Sequence, residues 1–405
     1  IPGTEGTIAA GSLRRMRETV GDIDILTMAT NGEEVIKAFT KLSTVREVLA
    51  AGDTKGSVIL ENGMQVDLRV VEPESYGAAL QYFTGSKAHN IKLRTIALEK
   101  GLKINEYGVF QNGEKIASRT EEEIYKTFGL PWIPPELRED KGEIQAALNS
   151  NLPNLVKLDD ISGDLHMHSK WSDGKVAIAE MAQKAKEFGY QYIAMTDHSP
   201  SSRIARGLSV ERLYEKKKEV DALNKKMKGV KILMGSEVDI RSDGSLDYSD
   251  EVLKDLDIVI VSVHSGFKMD GKSMTGRIVK ALQNPFVHAL VHPTGRLIGE
   301  REAYEVDMDE IIKTAKALGK ALEVNSYYLR LDLNDINIRK ATQMGVKIVI
   351  STDAHLPDQL NMMRLGVATA RRGWAQKKDV INTMDLKALS KWLNKVVASA
   401  RKPLL

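Results

Sequence analysis

Along the chain, short apolar runs alternate with polar turns and with stretches in which apolar positions recur every three to four residues. Over residues 1–72 this pattern predicts short strands and helices. Strands are expected at Ser57–Leu60 and Met64–Val71, on either side of Asn62-Gly63, two residues that tolerate the positive φ of a tight hairpin turn. The result is a small α/β unit containing an antiparallel pair. From residue 73 to about 140 the pattern is mixed, helical over Tyr76–Phe83 and Asn90–Lys100 and closing in Pro131, Pro134 and Pro135. A linker rich in charge and Asn follows, over about 141–160. Beyond it one unit recurs seven times: an apolar strand ending in an acid or a histidine, then an amphipathic helix such as Ala177–Phe188 or Asp307–Leu318. Strand ends fall at Leu165–His168, Tyr192–His198, Ile232–Glu237, Ile258–His264, Ala289–His292, Leu322–Asn325 and Ile348–His355. Polar groups gathered at the C-terminal ends of such strands predict an α/β barrel over 161–405 with its site on that face.

Composition narrows what such a chain can do. Its 405 residues exceed a single small core, so several domains are expected. No stretch approaches the roughly 18 unbroken apolar residues of a membrane span, and the start lacks the charged-then-apolar pattern of a secretory signal. A cytoplasmic protein that engages no membrane is expected, and no protein partner is predicted. The absence of cysteine excludes disulfides and thiolate metal sites, which directs attention to the 8 histidines. A formal net charge of +3 does not announce a nucleic-acid binder, so phosphate recognition has to come from local sites. The chain opens with Ile1-Pro2-Gly3 and not Met, which suggests that a preceding segment is missing.

The segment Asp164-Leu165-His166-Met167-His168 is the sharpest chemical signal. On a regular strand, residues i and i+2 point the same way, so His166 and His168 share one face while Leu165 and Met167 pack on the other. Two imidazoles so placed can bind one ion. Asp173 follows in a Ser-Asp-Gly turn, His198 ends the next strand in Thr-Asp-His-Ser, and Glu237 ends the third in Gly-Ser-Glu-Val-Asp. His264 ends the fourth in Ser-Val-His-Ser, His292 closes the fifth in Val-His-Pro, and Asp353 and His355 close the seventh in Ser-Thr-Asp-Ala-His. One histidine after an apolar run is usually structural, and His288 and His89 are expected to serve the fold. Nine candidate ligands at six strand ends are not explained that way.

These segments resemble the polymerase-and-histidinol-phosphatase (PHP) family over most of 161–370. The resemblance implies a distorted (β/α)7 barrel carrying up to three metal ions, with no ligand of the pattern substituted. It implies one ion held by His166, His168, Glu237 and Asp353, a second bridged by Glu237 to His264 with His292, and a third held by Asp173, His198 and His355. Imidazole combined with carboxylate suits Mn²⁺, Zn²⁺ or Fe²⁺. Closely spaced divalent ions acidify a water, orient it towards phosphorus and neutralise the leaving oxygen, which is the chemistry of phosphate-ester hydrolysis. In the loop after His198, Arg203 and Arg206 could grip a DNA phosphate, and Tyr327 and Tyr328 could stack a base.

A second constellation lies at the front. Gly11-Ser12 opens a predicted helix whose backbone N–H groups are free for a phosphate. Asp22 and Asp24 share one strand face while Ile23 and Ile25 turn to the core. In the hairpin, Asp67 shares a face with Gln65 and Arg69 while Val66, Leu68 and Val70 turn away. Three carboxylates on neighbouring strands can hold two Mg²⁺ ions bridged by a triphosphate. Together with Tyr82-Phe83-Thr84-Gly85-Ser86, Asn90, Arg94 and Asn105-Glu106-Tyr107-Gly108, the arrangement resembles the nucleotidyltransferase palm (1–72) and thumb (73–140) of family X DNA polymerases. The resemblance implies that Asp22, Asp24 and Asp67 are the catalytic, metal-binding carboxylates, Asp67 deprotonating the primer 3′-hydroxyl. It sets Gly11, Ser12 and Arg15 at the triphosphate, Tyr82, Phe83, Gly85 and Asn90 around sugar and base, and Arg94 towards the template.

The order palm, thumb, metal barrel is that of the bacterial and archaeal DNA polymerase X family, except that this chain starts inside the palm. The helix-hairpin-helix domain and fingers of that family are not present in it. The expectation is DNA-directed nucleotidyl transfer, impaired by the missing DNA-binding region, together with a metal-dependent 3′→5′ exonuclease. Its partners are then dNTPs and DNA with a primer 3′ end or a short gap. Competing expectations are a small-molecule phosphatase and a non-catalytic, metal-stabilised scaffold for the polymerase.

Overall fold

In the computed structural model, which describes residues 1–400 with side chains through residue 398, alternation of apolar and polar residues builds the first sheet. Its strands are β1 (Glu5–Ala9), β2 (Asp22–Met28), β3 (Val45–Ala51), β4 (Lys55–Leu60) and β5 (Gln65–Val71), in the order β1-β2-β5-β4-β3. Val66, Leu68 and Val70 of β5 are buried, and helix Gly32–Phe39 lays Val35, Ile36 and Phe39 on them. β2 and β5 run parallel with Asp24 opposite Asp67, whereas β4 pairs antiparallel with β5. The turn between β4 and β5 uses its two key residues differently. Gly63 takes φ +85°, while Asn62 keeps an ordinary backbone and accepts the Met64 N–H on its side-chain oxygen at 3.0 Å.

After this sheet come helices Tyr76–Thr84 and Lys87–Glu99, an antiparallel sheet of β6 (Lys103–Asn105), β7 (Gly108–Gln111) and β8 (Glu114–Ala117), and helix Glu121–Thr127. Helix Glu143–Leu148 buries Glu143, Ile144 and Ala147. Two buried polar knots hold these pieces. His89 places Nδ1 2.6 Å from Glu143 Oε1 and Nε2 2.9 Å from the Tyr125 hydroxyl, a structural role as expected. Glu121 accepts paired N–H bonds from Arg14 at 2.7 and 2.8 Å and from Arg138 at 2.5 and 3.1 Å.

Burial alone would raise the Glu121 carboxyl, but the two guanidinium groups outweigh it and bring it from 4.5 down to about 2. The folded value is depressed, so the stabilisation is fully present above pH 4.5 and is lost as pH falls through about 2. A shift of that size corresponds to roughly 3 kcal/mol. In urea titrations the wild type is expected to hold its full advantage over Glu121→Gln at pH 7 and to lose much of it by pH 3. A gap independent of pH over that range would show that the carboxylate's charge is not what stabilises the unit.

Contacts divide the chain into two units, residues 1–153 and residues 154 onward. The second is a parallel barrel of β9 (Gly163–Met167), β10 (Tyr192–Met195), β11 (Lys231–Asp239), β12 (Ile258–Ser262), β13 (Ala289–Leu290), β14 (Ala321–Asn325) and β15 (Ile348–Ser351), paired in sequence order. Each connection carries a helix, including Ile178–Glu187 and Met308–Leu318, and the His168 N–H donates to Ala354 O at 2.9 Å, drawing the two edge strands towards closure. Leu165, Ala194, Leu233, Ile260, Ala289, Ala321 and Val349, one from each strand, pack with Leu389 and Leu393 of the last helix, Leu386–Ala400, inside the barrel. The alternate positions pack outward under the surrounding helices.

β9 departs from the regular strand expected. Its pairing with β10 slips by one residue between Asp164 and Met167, so Leu165 joins the inner cluster and Met167 the outer one. The extra residue bends the strand end. His166 and His168 nonetheless aim their Nε2 atoms at the same acid, for the reason given next.

Candidate metal centre

Of the seven strands, β11 is the longest and carries Glu237 almost to its end, fully buried. Around this carboxylate the strand ends deliver imidazoles from four other elements. Oε2 lies 3.3 Å from His166 Nε2, 3.4 Å from His168 Nε2 and 3.1 Å from His198 Nδ1. Oε1 lies 3.3 Å from His264 Nε2 and 2.8 Å from His292 Nε2. Asp353 Oδ1 is 3.5 Å from His166 Nε2 and 3.2 Å from His168 Nε2. Asp173 Oδ2 is 3.2 Å from His355 Nε2 and 3.6 Å from His198 Nε2. All nine groups therefore form one continuous cluster, opening on a cavity of about 940 Å³.

The donor set suits divalent cations. The buried nitrogens His166 Nε2, His168 Nδ1 and Nε2, His198 Nδ1 and His292 Nδ1 lack a hydrogen-bond partner, a costly state for polar atoms without an ion to bind. Burial, helped by His355 and His198, pushes His168 down to about 4, a neutral imidazole ready to ligate. Burial and then Arg330 push His292 down to about 3. His264 goes the other way: burial would lower it, but Glu237 and Asp239 hold it up at about 10. The acids demand positive charge, and cations in the centre would displace these protons. His292 and Asp353 also hold non-glycine backbones at φ +31° and +55°, strain of the kind that collects at functional sites.

Four groups are compact enough for one ion among the described residues: His166, His168 and Glu237; His166, His292 and Asp353; His198, Glu237 and His264; and His168, Asp173, His198 and His355. They overlap the expected three sets only in part: His168 joins the third, His198 joins Glu237 and His264, and His292 groups with His166 and Asp353 and not with Glu237 and His264. Glu323 and Asp239 lie outside the set that the sequence pattern singles out. Glu323 Oε1 lies 2.7 Å from His166 Nδ1 and its other oxygen accepts the His292 N–H at 2.7 Å, while Asp239 Oδ1 lies 2.7 Å from His264 Nδ1. Such partners fix the ring and turn Nε2 inward. The period of two along β11 and β14, pairing Glu237 with Asp239 and Glu323 with Asn325, was the available signal. His288 accepts the Val259 N–H at 3.0 Å and serves the fold. Arg203 lines the cavity from an exposed loop; Arg206, Tyr327 and Tyr328 do not line it.

At the front, β2 and β5 set Asp24 beside Asp67, and Asp22 stands one strand repeat away. Among the described residues the three do not form a single-ion group. Burial, then Asp22 and Asp67, raises the Asp24 carboxyl above its ordinary range. Asp67 Oδ1 accepts from Gln65 Nε2 at 3.1 Å and from Ser57 Oγ. Gly11 has φ +54°, and a Cβ there would fall 1.9 Å from Asp24 Oδ2, so only glycine lets the chain pass this acid. Gly11-Ser12 opens a helix of a single turn, Gly11–Arg14. Arg15 donates to Glu139 at 3.0 Å and to Thr84 O at 2.9 Å. Asn90 donates to Tyr82 O at 2.7 Å and Gly85 O at 3.2 Å, fastening the turn between two helices. Arg94 lies over the Tyr82 ring at 5.3 Å, and Arg69 over Phe83 at 5.0 Å.

Comparison with known proteins finds matches in both units. The family model described as DNA polymerase beta thumb matches residues 79–139, and that of the PHP domain matches residues 164–334. The "DNA polymerase/3′-5′ exonuclease PolX" of Bacillus subtilis (strain 168) is 46% identical over 390 residues, covering 95% of this chain and 68% of that protein. The chain belongs to the PolX family. Family membership thus joins a polymerase thumb and a PHP barrel in one chain. A "Probable phosphatase" of Thermoanaerobacter sp. (strain X514) is 31% identical over 231 residues, 54% of this chain and 89% of that protein. Another, from Caldicellulosiruptor bescii, is 32% identical over 186 residues, 44% of this chain and 72% of its own. Among the described residues, no helix is long and apolar enough to cross a membrane.

Proposed function

We propose that this chain is a DNA repair enzyme that removes nucleotides from a primer 3′ end in its barrel and adds them at its front unit. The observation that carries the reading is the convergence of five imidazoles on the two oxygens of Glu237. Alignment with PolX across 95% of the chain supports DNA as the substrate. In this reading residues 1–72 are palm, 73–140 thumb, 141–160 linker and 161–405 the phosphoesterase. Its substrates are dNTPs and DNA with a primer 3′ end or a short gap, in the cytoplasm. Up to three Mn²⁺ or Zn²⁺ ions in the barrel and Mg²⁺ in the palm would supply an acidified water and charge neutralisation.

The protein's own groups do the rest. The nine barrel ligands fix where charge is neutralised, and Glu323 and Asp239 hold two of the rings in the orientation that ligation requires. Arg203, at the cavity rim, supplies a donor fork for DNA backbone phosphate. In the palm, Asp22, Asp24 and Asp67 carry the acid chemistry, with Asp67 taking the proton of the primer 3′-hydroxyl. The raised Asp24 carboxyl fits a cluster that calls for cations. A small-molecule phosphatase is the weaker reading, because the matched phosphatases account for the barrel and not for the thumb.

Digestion of a 5′-labelled recessed primer with Mn²⁺ tests the assignment. The wild type and Asp22→Ala are expected to give the same ladder of shortened products, and His168→Ala none. Extension with dNTPs and Mg²⁺ is expected to fail only in Asp22→Ala. Equal laddering in all three proteins would place the nuclease elsewhere.

A further inference from the structure

We propose that Arg330 is a further catalytic residue of the barrel, its guanidinium holding a non-bridging oxygen of the phosphate under attack; this rests on the exonuclease reading above. Arg330 follows β14 and lines the same cavity as Glu237, His292 and Asp353. Its side chain is only 16% exposed, and its Nε lies 3.5 Å from Asp353 Oδ2. Its contact with Asp353 is a loose ion pair and not a close bidentate one. The other arginines of the cavity are placed differently. Arg241 is held by Asp247, with Nη2 3.1 Å from Oδ1, and Arg203 stands on an exposed loop.

A guanidinium offers five N–H donors in a rigid fork. Lying in the cavity wall, the fork can meet a bound anion. An anion with two adjacent oxygens matches it, and a phosphodiester is the anion that the neighbouring centre calls for. The backbone that carries the fork is held in place. The Arg330 N–H donates to Tyr327 O at 2.7 Å, its carbonyl accepts from Arg296 Nε at 2.8 Å, and the Asn325 N–H donates to Asp332 O at 2.6 Å. Asp353 is thereby used from two sides, with Oδ1 towards His166 and His168 and Oδ2 towards Arg330.

In the reaction a water oxygen bonds to phosphorus while the bond from phosphorus to the 3′-oxygen of the preceding nucleotide breaks. One water proton ends on that 3′-oxygen. The products are a nucleoside 5′-monophosphate and a strand one residue shorter with a free 3′-hydroxyl. Charge builds on the non-bridging oxygens as the new bond forms, so a donor aimed there binds the transition state more tightly than the diester.

The test uses the full chain with Mn²⁺ and the labelled primer, measuring kcat, KM and bound manganese for the wild type, R330M and R330K. R330M is expected to lose roughly 100-fold in kcat, with manganese content and KM nearly unchanged, and to regain part of its rate in added guanidinium ion. R330K keeps charge and stem and is expected to fold, yet to remain at least about tenfold slow because an ammonium lacks the fork. If the rate falls only in step with lost manganese, Arg330 merely orients Asp353 and the proposal is overturned. An active wild type matched in kcat by R330M overturns it as well. A wild type that leaves the primer intact overturns the exonuclease reading and the role of Arg330 with it.

Discussion

Glu237→Gln is expected to slow Mn²⁺-dependent shortening of a labelled primer by roughly 1,000-fold or more and to empty the barrel of most of its bound metal. An amide keeps the size of the side chain but removes the charge and one of the two acceptor oxygens. Both of those oxygens are in use, three imidazoles facing one and two facing the other. The comparison that gives the number meaning is Glu323→Gln, where an amide oxygen can serve only one of the two donors, the His166 ring or the His292 N–H, but no ligand is removed; losses there of about 10–100-fold are expected. Nuclease rate and metal content both near wild type in Glu237→Gln would move the centre away from this carboxylate. Loss of stability and metal with nuclease activity intact would favour a scaffold role for the barrel.

A second large effect is expected from Lys216→Met, a loss of about 3–5 kcal/mol in the unfolding free energy of the barrel unit. Lys216 is fully buried on helix Val210–Lys226, with Nζ 2.8 Å from Asp197 Oδ2 and donating to Met195 O at 2.7 Å and Gly235 O at 3.1 Å. Methionine fills the space but leaves Asp197 buried and without its cation. Burial would raise that carboxyl, and Lys216 is the first of the charges that hold it below the usual range. Asp197 also accepts from the N–H and hydroxyl of both Ser169 and Ser172, which shape the loop leading to Asp173. Urea titrations read the loss directly. A change below about 1 kcal/mol would mean that solvent or another cation reaches Asp197.

Much of this was legible before any coordinates, because the signal came from residues whose position is dictated by strand order. A strand that ends in histidine or aspartate after an apolar run announces both its direction and the face it serves, which is why all nine barrel groups could be named. Local irregularity was not legible. The slip in β9 that parts Leu165 from Met167 has no mark in the sequence, since both are apolar and both are buried. Partners across the barrel were hidden for a different reason. Glu323 and Asp239 read as ordinary polar residues in strands, and only closure of the barrel sets them against His166 and His264. At the front, chain order could place Asp24 near Asp67, but it could not reveal that Arg15 and Asn90 are engaged in internal bonds.

The sharing of one acid among five rings has a thermodynamic consequence. Whatever occupies one position withdraws electron density from the common carboxylate and sets its twist, so neighbouring positions do not fill independently. Cations there would repel one another while sharing one oriented carboxylate, so the affinity at each position would depend on what its neighbours hold.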